Sequence, residues 1–122
     1  MKRELTRAEE QIMQAIWLVG KGFAKDIHEH MEEPRPAYNT VLTVIRVLVQ
    51  KGFVDFKTYG KSNEYFPTIT KEEYSSQRLN ALKQNYFGNS TTQMLSFFMK
   101  ENNLGLDDVN EILEIIKKER DE

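Results

Sequence analysis

Asn39-Thr40-Val41-Leu42-Thr43-Val44-Ile45-Arg46-Val47-Leu48-Val49-Gln50 is the stretch whose reading decides the fold. Placed on a helix at roughly 100° per residue, it sorts into two faces. Val41, Ile45 and Leu48 point one way, with Val44 beside them; Asn39, Thr43, Arg46 and Gln50 point the other. The outward stripe holds no Asp or Glu, although 30% of the chain is charged. Amide, hydroxyl and guanidinium groups suit base edges in a major groove, and none of them repels phosphate. The competing reading is an ordinary surface helix that lacks acids, and this helix alone leaves both open.

The flanking sequence narrows the choice. Thr6 with Glu9 forms a capping box, followed by an apolar stripe of Ile12, Met13, Ile16 and Trp17, and Gly20 and Gly22 end that helix. A short second helix is expected over about Ala24–Met31. Pro34 and Pro36 force an extended link before the helix that begins at Tyr38. Beyond Lys51-Gly52, Val54–Tyr59 alternates like a strand. Gly60-Lys61-Ser62-Asn63 is turn chemistry, and Glu64–Pro67 returns as the second strand. Three helices and a hairpin in this order are the winged helix-turn-helix plan, with the third helix as reader and the hairpin as wing.

Charge supports nucleic acid only locally. Residues 1–70 carry 10 Lys/Arg and 9 Asp/Glu, whereas residues 71–122 carry 7 and 10, giving the net −2. Between Arg35 and Lys61, however, Arg35, Arg46, Lys51, Lys57 and Lys61 face a single acid, Asp55. Local basicity governs phosphate contact. DNA contacts are therefore expected from Tyr38, Asn39, Thr40, Thr43 and Arg46, with Lys57, Tyr59 and Lys61 on the wing. Tyr59 either stacks on the sugar–phosphate backbone or packs onto the wing itself.

At 122 residues the chain holds one core and a dependent appendage rather than two large domains. With no cysteine it has no disulfide and no thiolate site, which fits a reducing cytoplasm. No apolar run is long enough to insert in a membrane. The two histidines, His28 and His30, point about 200° apart on one helix, so they cannot chelate as a pair and are read as surface residues. No catalytic constellation, phosphate-cradling loop, metal site or cofactor motif is present, so an enzyme is not expected.

Residues 71–122 are helical throughout. Thr70 with Glu73 is a second capping box; Leu79, Leu82 and Tyr86 recur at helical spacing, and Phe87-Gly88-Asn89-Ser90 breaks the run. Met94, Leu95, Phe97, Phe98 and Met99 then line another helix, and Asp107 or Asp108 caps a last one bearing Val109, Ile112, Leu113 and Ile116. Such apolar helices beside an already complete small core are short of partners. The expected architecture is mainly α with a small β-hairpin: a winged-helix domain over 1–70 and a helical dimerisation region over 71–122. Leu82, Tyr86, Met94, Leu95, Phe97, Phe98, Ile112, Leu113 and Ile116 are the expected interface. The alternative is that these helices fold back on their own N-terminal domain. A twofold dimer would set two readers about one helical turn apart, or a multiple of it, on a palindrome.

Three segments together resemble one family. They are Leu5-Thr6-Arg7-Ala8-Glu9 leading to Ile16-Trp17, Thr40–Arg46 leading to Leu48 and Lys51-Gly52, and Tyr65-Phe66-Pro67 with Lys71-Glu72-Glu73-Tyr74. They are similar to the penicillinase and methicillin-resistance repressors, bacterial winged-helix regulators, and the likeness continues through Phe87-Gly88 and Met94–Phe97. The resemblance implies a cytoplasmic homodimer on a dyad-symmetric double-stranded DNA operator, repressing resistance genes. It also implies release by a membrane sensor protease system that cuts near Ser96-Phe97. The chain departs from the pattern at Val47, where the family often has a cation. The family's copper-sensing branch relies on C-terminal cysteine pairs, so without cysteine this chain cannot sense copper by that chemistry. A winged-helix protein-interaction module, or a repressor released by a ligand between the C-terminal helices, are the other readings.

Overall fold

The structure, a computed structural model, describes residues 4–120. Its compact units are Met1–Arg78 and Leu79–Glu122. In the first, α1 (Arg7–Val19), β1 (Gly22–Phe23), α2 (Ala24–Glu29), α3 (Tyr38–Gln50), β2 (Val54–Tyr59) and β3 (Ser62–Pro67) precede the start of α4 (Lys71–Tyr86). The strands form one antiparallel sheet in the order β1-β3-β2. This is a winged helix-turn-helix.

The apolar stripes anticipated in α1 and α3 meet in one core. Ile12, Met13 and Ile16 from α1 join Ile27 from α2 and Val41, Ile45 and Leu48 from α3. Phe53, Val54 and Tyr65 close the core from the sheet side. Both capping boxes form: Glu9 N–H donates to Thr6 Oγ1 and Thr6 N–H to Glu9 Oε1, and the Thr70–Glu73 pair repeats the arrangement.

Three local expectations change. The helix α2 ends at Glu29 rather than near Met31, where Arg35 Nη1 donates to the carbonyls of His28 and Glu29 at 3.2 Å each, supplying the donors that another helical turn would otherwise have supplied. The wing turn has two residues rather than four. Pairing continues through Thr58↔Asn63 to Tyr59↔Ser62, and Thr58 Oγ1 donates to Asn63 Oδ1 at 2.8 Å, leaving Gly60-Lys61 as the turn with Gly60 at φ +61°. Gly22, read as a helix end, forms β1 with Phe23, paired with Tyr65 and Glu64 of β3.

The first two turns of α4 belong to the first unit. Tyr74 is buried, with its ring 5.9 Å from those of Trp17 and Phe53. Its hydroxyl donates to Glu10 Oε2 at 2.8 Å and accepts from Leu5 N–H at 3.4 Å. Trp17 Nε1 donates to Ile69 O, and Arg78 pairs with Glu4.

In the second unit, α4 runs to Tyr86 and is followed by α5 (Thr91–Glu101) and α6 (Leu106–Arg120). Gly88 and Asn89, both at positive φ, make the break, and Ser90 caps α5 by accepting from Gln93 N–H. Asp108 accepts from Gly105 N–H at the start of α6. Phe87 and Phe97 stack at 5.4 Å. No described residue of α5 or α6 is buried.

Candidate nucleic-acid interface

Helix α3 presents the stripe its sequence implied. Asn39, Thr40, Thr43, Arg46 and Gln50 are exposed, while Val41, Ile45 and Leu48 are wholly buried. Ala37 at the N-cap offers no side-chain acceptor and the first turn carries no acid, so the leading N–H groups stay free for an anion. Thr43 Oγ1 donates back to Asn39 O at 3.0 Å, which leaves its lone pairs as acceptors. Leu42 is half-buried against the core, as is Val47 in its own surroundings.

The basic group counted in the sequence contracts. Lys51 Nζ lies 2.8 and 2.9 Å from the two carboxylate oxygens of buried Glu9. Burial alone would raise the Glu9 pKa, but the bonds from Lys51 and Thr6 hold it below the ordinary carboxylate value. Arg35 closes the link between α2 and α3 and pairs with Glu33 at 3.3 Å. Among the described residues, no carboxylate lies within ion-pair range of Arg46, Lys57 or Lys61. Of the basic group counted in the sequence, these three keep their charge without an acidic partner among the described residues.

On the wing, Lys57 Nζ stands 5.5 Å from the centre of the Tyr59 ring, and Tyr59 meets Phe23 edge to face at 6.3 Å. Tyr59 is thus partly committed to packing on the sheet, though half of it stays exposed. Lys61 occupies the tip. Tyr38 is likewise divided: one edge meets the His28 ring at 5.8 Å, and 42% of the residue remains exposed. His28 was expected at the surface, yet it is half-buried with Nε2 2.9 Å from Pro36 O, bracing the approach to α3. The covering partner, Tyr38, stands ten positions downstream, beyond the reach of helical periodicity.

In the second unit, Leu82, Tyr86, Leu95, Phe97, Phe98, Ile112, Leu113 and Ile116 are all exposed, and Met94 is half-buried. Leu79, Leu106 and Ile115 add to this apolar surface. They were not placed in the interface from sequence, although Leu79 lies on the Leu82–Tyr86 repeat. The Ser96–Phe97 bond sits inside α5, so a protease reaching it needs that helix to open locally.

The penicillinase repressor family model matches residues 5–118. The chain belongs to the penicillinase repressor family. It is similar to the methicillin resistance regulatory protein MecI of Mammaliicoccus sciuri, 29% identical over 118 residues and 94% of each chain. MecI of Staphylococcus aureus strain N315 is 28% identical over the same span. The solved DNA-binding domain of the repressor BlaI matches with a TM-score of 0.52 at 22% identity, over 61% of this chain and 94% of that one, and shares the fold. The penicillinase repressor family consists of DNA-binding transcriptional repressors, not enzymes. None of the described helices is long and apolar enough to cross a membrane.

Proposed function

We propose that this repressor acts in the cytoplasm as a homodimer on a double-stranded operator of dyad symmetry. Genes of β-lactam resistance or a similar response would be its targets. The acid-free, exposed stripe of Asn39, Thr40, Thr43 and Arg46 carries this reading. It offers bidentate and hydroxyl chemistry for base edges, with Lys57 and Lys61 supplying phosphate contacts from the wing. The exposed apolar faces of α4, α5 and α6 support dimerisation, since a soluble monomer rarely leaves so many large hydrophobic side chains uncovered. Cleavage near Ser96-Phe97 by a membrane sensor protease would release the operator. It would divide α5 and remove α6, and with them the linkage between half-sites.

A footprint over the chain's own upstream region, combined with sedimentation of the free and bound protein, tests this. The expected result is a protected palindrome bound by two chains, with affinity falling steeply as salt rises. A monomer on DNA, or no protection at any salt, rejects it. An intact chain after full induction rejects the cleavage route alone.

A further inference from the structure

A cleft of about 820 Å³ lies between α1, the connection from α2 to α3, and the first residue of α4. Its wall is mixed: Trp17, Leu18, Met31 and Pro36 form an apolar part beside the polar Gln11, Gln14 and His30, and Leu18 is 71% exposed. The indole is fixed in place, because Nε1 donates to Ile69 O at 2.9 Å and the ring packs 5.9 Å from Tyr74. Two carboxylates, Glu32 and Glu33, share the lining with a single lysine, Lys71. Glu33 is taken by Arg35 at 3.3 Å, whereas Glu32 has no ion-pair partner among the described residues. None of these residues belongs to the outward stripe of α3 or to the wing, so DNA reading leaves the cleft unused.

We propose that this cleft is a binding site for an apolar organic cation, its hydrophobic body against Trp17 and Leu18 and its charge facing Glu32. The volume lies within the range of small-molecule pockets, and a rigid indole with a nearby free carboxylate is the combination that captures such cations. Met31 and Pro36 belong to the connection that delivers the chain to Ala37, the N-cap of the reading helix. A bound cation therefore sits against the segment that sets where α3 begins.

Trp17 is the only tryptophan, so its emission reports on this site directly. The full chain, without DNA, is titrated with tetraphenylphosphonium, and with tetraphenylborate as an anion of the same shape. Saturable binding of the cation is expected, weakened roughly fivefold by Glu32→Gln, unaffected by Lys71→Gln and abolished by Leu18→Arg. Leu18 and Glu32 are exposed, and matching thermal melts confirm that the variants fold. Absence of saturation overturns the proposal, as does binding that survives Leu18→Arg. Tighter binding of the anion, lost in Lys71→Gln, overturns the assigned charge. Because no operator is present, none of these outcomes depends on the DNA-binding reading.

Discussion

The Glu9 carboxylate holds the Lys51 ammonium with both oxygens across 42 positions of sequence, tying the first turn of α1 to the residue that ends α3. The side chains are 8% and 20% exposed, so the pair is shielded from bulk water. Lys51→Met leaves a buried carboxylate uncompensated and should cost about 2–4 kcal/mol in urea unfolding followed by Trp17 emission. Glu9→Gln should cost less, and the double variant should recover part of the Lys51→Met loss. Strict additivity of the two would show that the contact carries no coupling.

Lys51 is also a control for the interface. A lysine neutralised inside the protein releases no counterion from DNA, so in the folded Lys51→Met protein the salt dependence of operator binding should not change. Lys61→Ala should lower the slope of log affinity against log salt by about 1. A lowered slope in Lys51→Met would instead make that residue a phosphate contact.

Stability should fall in acid through the same carboxylate. Glu9 titrates below its ordinary value of 4.5 in the folded chain, so its contribution is present above that pH and disappears as pH drops through the lowered folded value. Glu9→Gln should therefore flatten the decline of stability below about pH 4.5. An unchanged acid profile in the variant would remove Glu9 as its cause.

Arg46 is the only cation on the exposed face of α3. Arg46→Ala should weaken specific operator binding by about 1–3 kcal/mol while leaving the fold intact, because its side chain has no ion-pair partner among the described residues. Equal gel-shift affinity of variant and parent would displace the reading helix from its assigned role.

Leu113 is 48% exposed on α6 and Phe98 56% on α5. Leu113→Asp or Phe98→Asp should yield a monomer by sedimentation and reduce apparent operator affinity by about a hundredfold. The Trp17-reported melt of the first unit should stay unchanged. A dimer persisting in both variants would place the interface elsewhere.

What the sequence made legible is what short-range chemistry controls. Thr6 and Glu9, or Thr70 and Glu73, lie three positions apart, and both capping boxes form as read. The period of α3 separates Ile45 from Arg46 without tertiary information. The failures are long-range. Gly22-Phe23 becomes a strand only because Tyr65 and Glu64 arrive beside it. Lys51 reads as a free cation until Glu9 is brought to it, and the two readings of Tyr59 stay open until Phe23 meets it. Burial of Tyr74 has the same origin, since Trp17 and Phe53 reach it from distant parts of the chain.

The anchorage of Tyr74 bears on the fate of a severed chain. Its ring, its hydroxyl bonds and the Arg78–Glu4 pair all lie upstream of the Ser96–Phe97 bond. A cut there would leave every one of these contacts on the N-terminal piece, which would keep its fold and its reading helix. Such a remnant would compete, one half-site at a time, with newly made repressor. The speed at which silence returns after a stimulus would then depend on how quickly the cell clears its own debris.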